Sequence, residues 1–278
     1  MRNITVPLVA SICLAGVFTC GPVYGQARVQ EENLVYTDPT VSLPGRWTVG
    51  ANAEMWGGII PQVKTQGSTQ QWTGWQGGGS LSVGYDAFQL QLTGMTGNAF
   101  GTWHFANGAL AHTHSEITEI EVLGRYVFPS AQFFGITPYI VGGYDFTQVP
   151  ESDILFGNFV WVPPTGSAQR KSVNTFNTLF IGGGGLYEFT RDVGLRFDVE
   201  IGPSFGSTNN TNRLPPAQSD FSGTQFGFMS HLTVYWRITD DIVAQVGLKA
   251  AGIQGSATGV QTWGAIAGFG SLGYTHRF

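Results

Sequence analysis

From Trp47 onward the apolar and polar positions alternate with a period of two, the spacing of a pleated strand that shows different faces to different surroundings. Trp47, Val49, Ala51, Ala53 and Met55 fall opposite Thr48, Gly50, Asn52 and Glu54. Leu81, Val83 and Tyr85 continue the pattern, and after a tight reversal at Asp86-Ala87 it resumes with Phe88, Leu90 and Leu92 opposite Gln89, Gln91 and Thr93. Ile120, Val122, Gly124, Tyr126 and Phe128 face away from Glu119, Glu121 and Arg125. Ile140, Gly142, Tyr144 and Phe146 likewise oppose Tyr139, Val141, Gly143 and Asp145. A glycine-rich segment sets Leu179, Ile181, Gly183, Gly185 and Tyr187 on one side. The cleanest alternation follows, with Leu195, Phe197, Val199 and Ile201 against Arg196, Asp198 and Glu200. Phe226 to Arg237, Ala244 to Lys249, and Trp263 to Phe278 complete about ten predicted strands; the glycine-rich stretches also accommodate eight or twelve.

The predicted connections alternate as well. Short ones follow the even strands, at 86–87, 129–136, 189–193 and 239–241, and long ones follow the odd strands, at 57–79, 97–115, 147–172, 203–223 and 251–262. Composition then decides which way the apolar faces turn. Charged residues are 11% of the chain, against about 25% in an ordinary domain, and glycine supplies 40 of 278 positions. So few charges are ill suited to coating a water-facing surface. A soluble sandwich or lipocalin-like barrel alternates too, with its charged face outward. The low charge and the aromatics near strand ends (Trp47, Tyr85, Phe128, Tyr187, Trp236, Trp263 and Phe278) favour lipid. The expected fold is all-β: a transmembrane antiparallel up-and-down β-barrel with short periplasmic turns and long extracellular loops. No basic run suggests a nucleic-acid partner.

At the start of the chain, Met1-Arg2-Asn3 and the apolar run from Ile4 to Phe18 predict a signal peptide over 1–25, cleaved after Gly25 or Ala27. Residues 26–45 read as a short periplasmic segment and 46–278 as the barrel. Cys13 and Cys20 both fall in the signal, so the mature chain is expected to lack thiols and disulfides. At the other end, Leu272, Tyr274, His276 and Phe278 share one strand face. This terminal pattern, with Ile136-Thr137-Pro138-Tyr139-Ile140-Val141-Gly142-Gly143-Tyr144 and the stretches 182–187 and 194–200, resembles the small single-chain Gram-negative outer-membrane β-barrel superfamily. The resemblance covers 46–278. It implies Sec-type export to the outer membrane and a monomer surrounded by lipid and lipopolysaccharide. It also implies the barrel-assembly machinery and periplasmic chaperones as partners, with Leu272, Tyr274, His276 and Phe278 as the assembly signal. His276 departs from that pattern, since an aromatic residue usually stands third from the end.

By the alternation, the lumen receives Glu54, Glu119, Glu121, Asp145, Glu188, Asp198 and Glu200 together with Arg125, Arg196, Arg237, Lys249 and Arg277. Ten strands enclose little more than side chains fill, so charges of both signs are expected to pair there. Inward glycines (Gly143, Gly182, Gly184, Gly247 and Gly273) leave room for the alternative, a narrow polar pore. The pairs Glu119/Glu121 and Asp198/Glu200 could serve acid–base chemistry, but inward charge is ordinary for a barrel. Omptin-type proteases carry an Asp-x-His pair at the rim and lipid A deacylases a His-x-Ser; neither spacing occurs in this sequence. No catalytic residue and no cofactor is indicated. His112, His114 and Glu116 share a face at ligand-forming spacing and are weak candidates for a transition metal, with His104 nearby. Aromatics crowd the expected loops, at Trp72, Trp75, Phe100, Trp103, Phe105, Phe156, Phe159 and Trp161, and the 207–219 segment reads as a flexible displayed tip. The expected role is structural or surface display through the loops, ahead of a narrow channel for ions or small solutes and, third, a rim enzyme modifying lipid or peptide.

Overall fold

The structure, a computed structural model, describes residues 47–65, 68–104, 110–156, 168–210, 221–255 and 263–278. The expected signal peptide and periplasmic segment lie outside the described residues. Ten strands are present: β1 (Trp47–Thr65), β2 (Ser68–Tyr85), β3 (Phe88–His104), β4 (Leu110–Val127), β5 (Ile136–Phe156), β6 (Ala168–Glu188), β7 (Val193–Asn210), β8 (Phe221–Arg237), β9 (Ile242–Gly255) and β10 (Trp263–Arg277). Each pairs antiparallel with its chain neighbours, and β1 pairs with β10, so the sheet closes on itself without an edge. That seam runs in continuous register from Thr48↔Arg277 to Ile59↔Ile266, and the Phe278 amide donates to the Trp47 carbonyl at 3.0 Å.

The alternation is realised inside out relative to a soluble protein. Leu81 is 62% exposed and Ile181 71%, while Asp198 is 1% and Glu200 0% exposed. An apolar exterior and a polar interior are what a lipid-facing wall requires, because hydrocarbon offers nothing to charged groups. Every segment turns the predicted face outward, including β5, where Ile140 and Tyr144 are exposed and Tyr139, Val141 and Asp145 are buried.

The short turns gather at one end. At the two-residue β2–β3 reversal Asp86 adopts φ 54°, a left-handed conformation that aspartate tolerates well in tight hairpins. The β6–β7 and β8–β9 turns are built alike. Thr190 Oγ1 accepts from the amides of Asp192 and Val193 at 3.2 and 3.1 Å, and Thr239 Oγ1 from those of Asp241 and Ile242 at 3.3 and 3.1 Å. A Thr-x-Asp sequence thus satisfies the turn amides from within.

The opposite end departs from expectation. Much of each long connection expected at 57–79, 97–115, 147–172, 203–223 and 251–262 is strand: β1 runs on to Thr65 and β2 begins at Ser68, and β5 and β6 each have 21 residues. A spanning strand needs only about 9–11, so roughly half of β5 and β6 continues past that length. The extensions replace aliphatic residues with Thr, Ser, Asn, Gly and aromatics, which look like loop yet pair equally well. At Pro150, which has no amide to give, the β4/β5 ladder is interrupted, and the Ser115 hydroxyl donates to the proline carbonyl at 2.9 Å.

Candidate functional site

The lumen holds two layers of different chemistry. Toward the long-strand end, inward positions that carry polar residues lower down carry apolar ones instead. Ala99, Ile117, Val149, Phe176 and Ile253 form one buried cluster, and Trp56, Met95 and Phe269 another, with Trp56 stacked on Phe269 at 5.1 Å. These residues share faces with Glu54, Thr93, Glu119, Thr178 and Ser271, so the rule of polar-in that holds lower in the barrel is reversed here. The reversal was readable in the sequence, as bulky apolar residues standing at inward parity.

Beneath lies the charged layer, which contains two triads of the same construction. Glu119 and Glu121 are two residues apart on β4, and Asp145 stands directly opposite Glu121 on β5. Asp198 and Glu200 are two residues apart on β7, and His231 stands directly opposite Asp198 on β8. Within each triad one potential ligand atom per residue lies within 4.8 Å of the others.

The β4/β5 triad is answered by a side chain. Lys249, on β9 at the far side of the barrel, forms an ion pair with Glu119 Oε1 and lies 3.9 Å from Glu121 Oε2. Its ammonium also sits 4.4 Å from the centre of the Trp56 ring. Asp145 accepts from the Thr147 hydroxyl at 2.7 Å. Two facing carboxylates repel, and the lysine spanning the lumen offsets this.

The β7/β8 triad is held differently. Asp198 Oδ1 lies 2.7 Å from His231 Nδ1, and Asp198 Oδ2 accepts from the Tyr139 hydroxyl at 2.7 Å. The Tyr139 hydroxyl oxygen lies 3.1 Å from the Phe197 carbonyl oxygen. Glycine makes this possible: a Cβ placed at Gly184 would come within 2.7 Å of the Tyr139 hydroxyl. Glu200 is fully buried, and among the described residues neither of its oxygens has a hydrogen-bond donor.

Other expected lumen charges find separate places. Arg125 is buried and donates to Gln91 Oε1 at 2.8 Å and Gln89 Oε1 at 3.5 Å. Arg196 and Arg237 are buried, and Arg196 lines the lumen cavity. Glu54 is half-buried and accepts from Ser80 Oγ at 2.9 Å. Arg277 is half-buried at the short-turn rim, whereas Glu188, expected in the lumen, is exposed as the last residue of β6: alternation ceases to direct a side chain inward where the wall ends. A cavity of about 40 Å³ lies among Glu119, Glu121, Arg125, Arg196, His231 and Lys249, enough for a water or a few.

Outside the barrel, His112, His114 and Glu116 share the outward face of β4, and the two histidines are engaged with other residues. His112 Nδ1 lies 3.4 Å from Thr102 Oγ1, and His114 Nε2 2.9 Å from Asn98 Oδ1 while its ring stacks on Phe100. Among the described residues the clustered ligand sets are the two lumen triads. Trp75 and Phe100, expected in loops, stand exposed on β2 and β3; Phe105, Phe159 and Trp161 lie outside the described residues. On β10, Leu272, Tyr274, His276 and Phe278 all face outward, and His276 packs edge-on against Phe278 at 4.8 Å.

No family model matches the sequence, and no curated protein matches it. Solved structures do. The outer membrane protease OmpT of Escherichia coli is 12% identical and aligns over 87% of this chain and all of its own with a TM-score of 0.53. The translocator domain of the autotransporter NalP of Neisseria meningitidis is 13% identical over 82% of this chain and 88% of that one, with a TM-score of 0.45. OprG of Pseudomonas aeruginosa is 12% identical over 85% and 98%, with a TM-score of 0.37. At such identities the likeness is one of fold alone, the closed antiparallel barrel.

Proposed function

We propose that this chain is a Gram-negative outer-membrane barrel with a sealed interior, acting at the cell surface through the strand extensions and loops at its long-strand end. One observation carries the reading. Above the Lys249–Glu119 pair that spans the barrel, inward apolar side chains narrow the lumen in two clusters, one containing Ile117, Val149, Phe176 and Ile253 and the other Trp56, Met95 and Phe269. An apolar constriction over a cross-lumen ion pair opposes a wet path for ions among the described residues. The functional surface is then external, where β5 and β6 outrun the membrane thickness and Trp75 and Phe100 present exposed rings. The likeness to the protease named among the similar structures is a likeness of fold.

Planar-bilayer recording of the refolded protein tests this, with heat-modifiable gel mobility reporting the folded barrel. The expected outcome is a folded protein that gives no discrete steps. Sustained unitary conductance would overturn the sealed-lumen reading and make the lumen charges selectivity determinants.

A further inference from the structure

We propose that the β7/β8 triad of Asp198, Glu200 and His231 is a binding site for one divalent transition-metal ion inside the barrel. This goes beyond the surface role above and does not depend on what the loops engage.

The donor set is one imidazole nitrogen and two carboxylates, brought within 4.8 Å of one another. That mixture suits zinc and its first-row neighbours, whereas calcium and magnesium prefer oxygen ligands alone. Three protein ligands with room for water in a further position is a common arrangement for such ions. Each strand delivers its ligand without distortion: Asp198 and Glu200 by the i, i+2 rule, His231 by direct cross-strand register.

Two further features point to a ligand rather than to a chance cluster. The first is Glu200. Its carboxylate is fully buried, and both oxygens lack a hydrogen-bond donor among the described residues. A buried ionised group without a partner is strongly disfavoured, so a cation or a proton must answer it. The second is Tyr139. Its hydroxyl fixes Asp198 Oδ2 at 2.7 Å, leaving Oδ1 turned to His231. A ligating carboxylate oriented through its second oxygen is the usual outer-shell support of a metal site. The ion would sit where Asp198 Oδ1 and His231 Nδ1 now face each other at 2.7 Å, with the imidazole keeping its hydrogen on Nε2.

The site lies below the apolar constriction, so the ion is taken up as the barrel folds and is then retained. The test unfolds the full chain in urea with a chelator, refolds it into detergent with zinc, and removes free ion by gel filtration. Bound zinc is counted by elemental analysis, and folding is confirmed by heat-modifiable mobility. Unaltered protein is expected to retain one ion per barrel and to need a higher temperature for unfolding than the metal-free form. Glu200→Gln, nearly the same shape, should fold and retain none. Tyr139→Phe should retain it about tenfold or more weakly. Calcium in place of zinc should not be retained. If the unaltered barrel folds and keeps no zinc, Glu200 is answered by a proton and the proposal fails. It fails equally if Glu200→Gln keeps the ion, or if only His112→Ala with His114→Ala removes it.

Discussion

The two lumen triads have the same backbone plan and opposite solutions. In both, an i, i+2 acidic pair on one strand is joined by a third group directly across the ladder. On β4/β5 the protein provides its own cation, carrying Lys249 across the full width of the barrel. On β7/β8 an aromatic hydroxyl and an imidazole hold Asp198, and Glu200 is left without a donor among the described residues. The difference teaches that two stretches of one barrel wall can meet the same acidic plan in different ways. One stretch serves as a brace, and the other keeps a set of unspent ligand atoms.

The contrast can be broken most forcefully at the brace. Lys249→Met strands Glu119, Glu121 and Asp145 together, and loss of one partner of a buried pair typically costs about 3–5 kcal/mol. The urea midpoint of the folded gel band should fall by the corresponding amount. Glu200→Gln in metal-free protein removes a carboxyl group that has no hydrogen-bond donor among the described residues, so its midpoint should hold or rise; a fall as large as that of Lys249→Met would erase the distinction between the triads. Next in size comes Tyr139→Phe, which takes the hydroxyl from Asp198 and should cost about 1–3 kcal/mol, the usual penalty for a stranded buried acceptor. Smallest is His114→Ala on the outer face, expected to stay within about 0.5 kcal/mol as for surface substitutions in general.

How much of this was legible in the sequence differs by level. Strand identity and facing were legible because side chains alternate strictly, so Asp198 and Glu200 could be put on one inward face from spacing alone. Strand ends were not: Trp75 and Phe100 read as loop aromatics, because the extensions exchange aliphatic residues for ones that also populate loops. His231 opposite Asp198 depends on ladder register, which turn lengths set and composition does not. The meeting of Lys249 with Glu119, 130 residues apart, depends on closure and stagger of the whole sheet, and no local pattern encodes it. The apolar constriction was visible at inward parity in Trp56, Met95 and Phe176, but the expectation of polar-in concealed it.

The pairing of β1 with β10 carries a kinetic consequence. Every other ladder joins chain neighbours and can zip from a turn, whereas this one must bring together segments more than 200 residues apart in sequence, from Thr48 to Arg277. Such a long-range closure is the slowest to find and the last to form. Until it does, two strand edges carry unsatisfied amides and carbonyls that hydrocarbon cannot solvate. Assembly is therefore all-or-none: a chain arrested one strand short is a curled sheet searching for an edge.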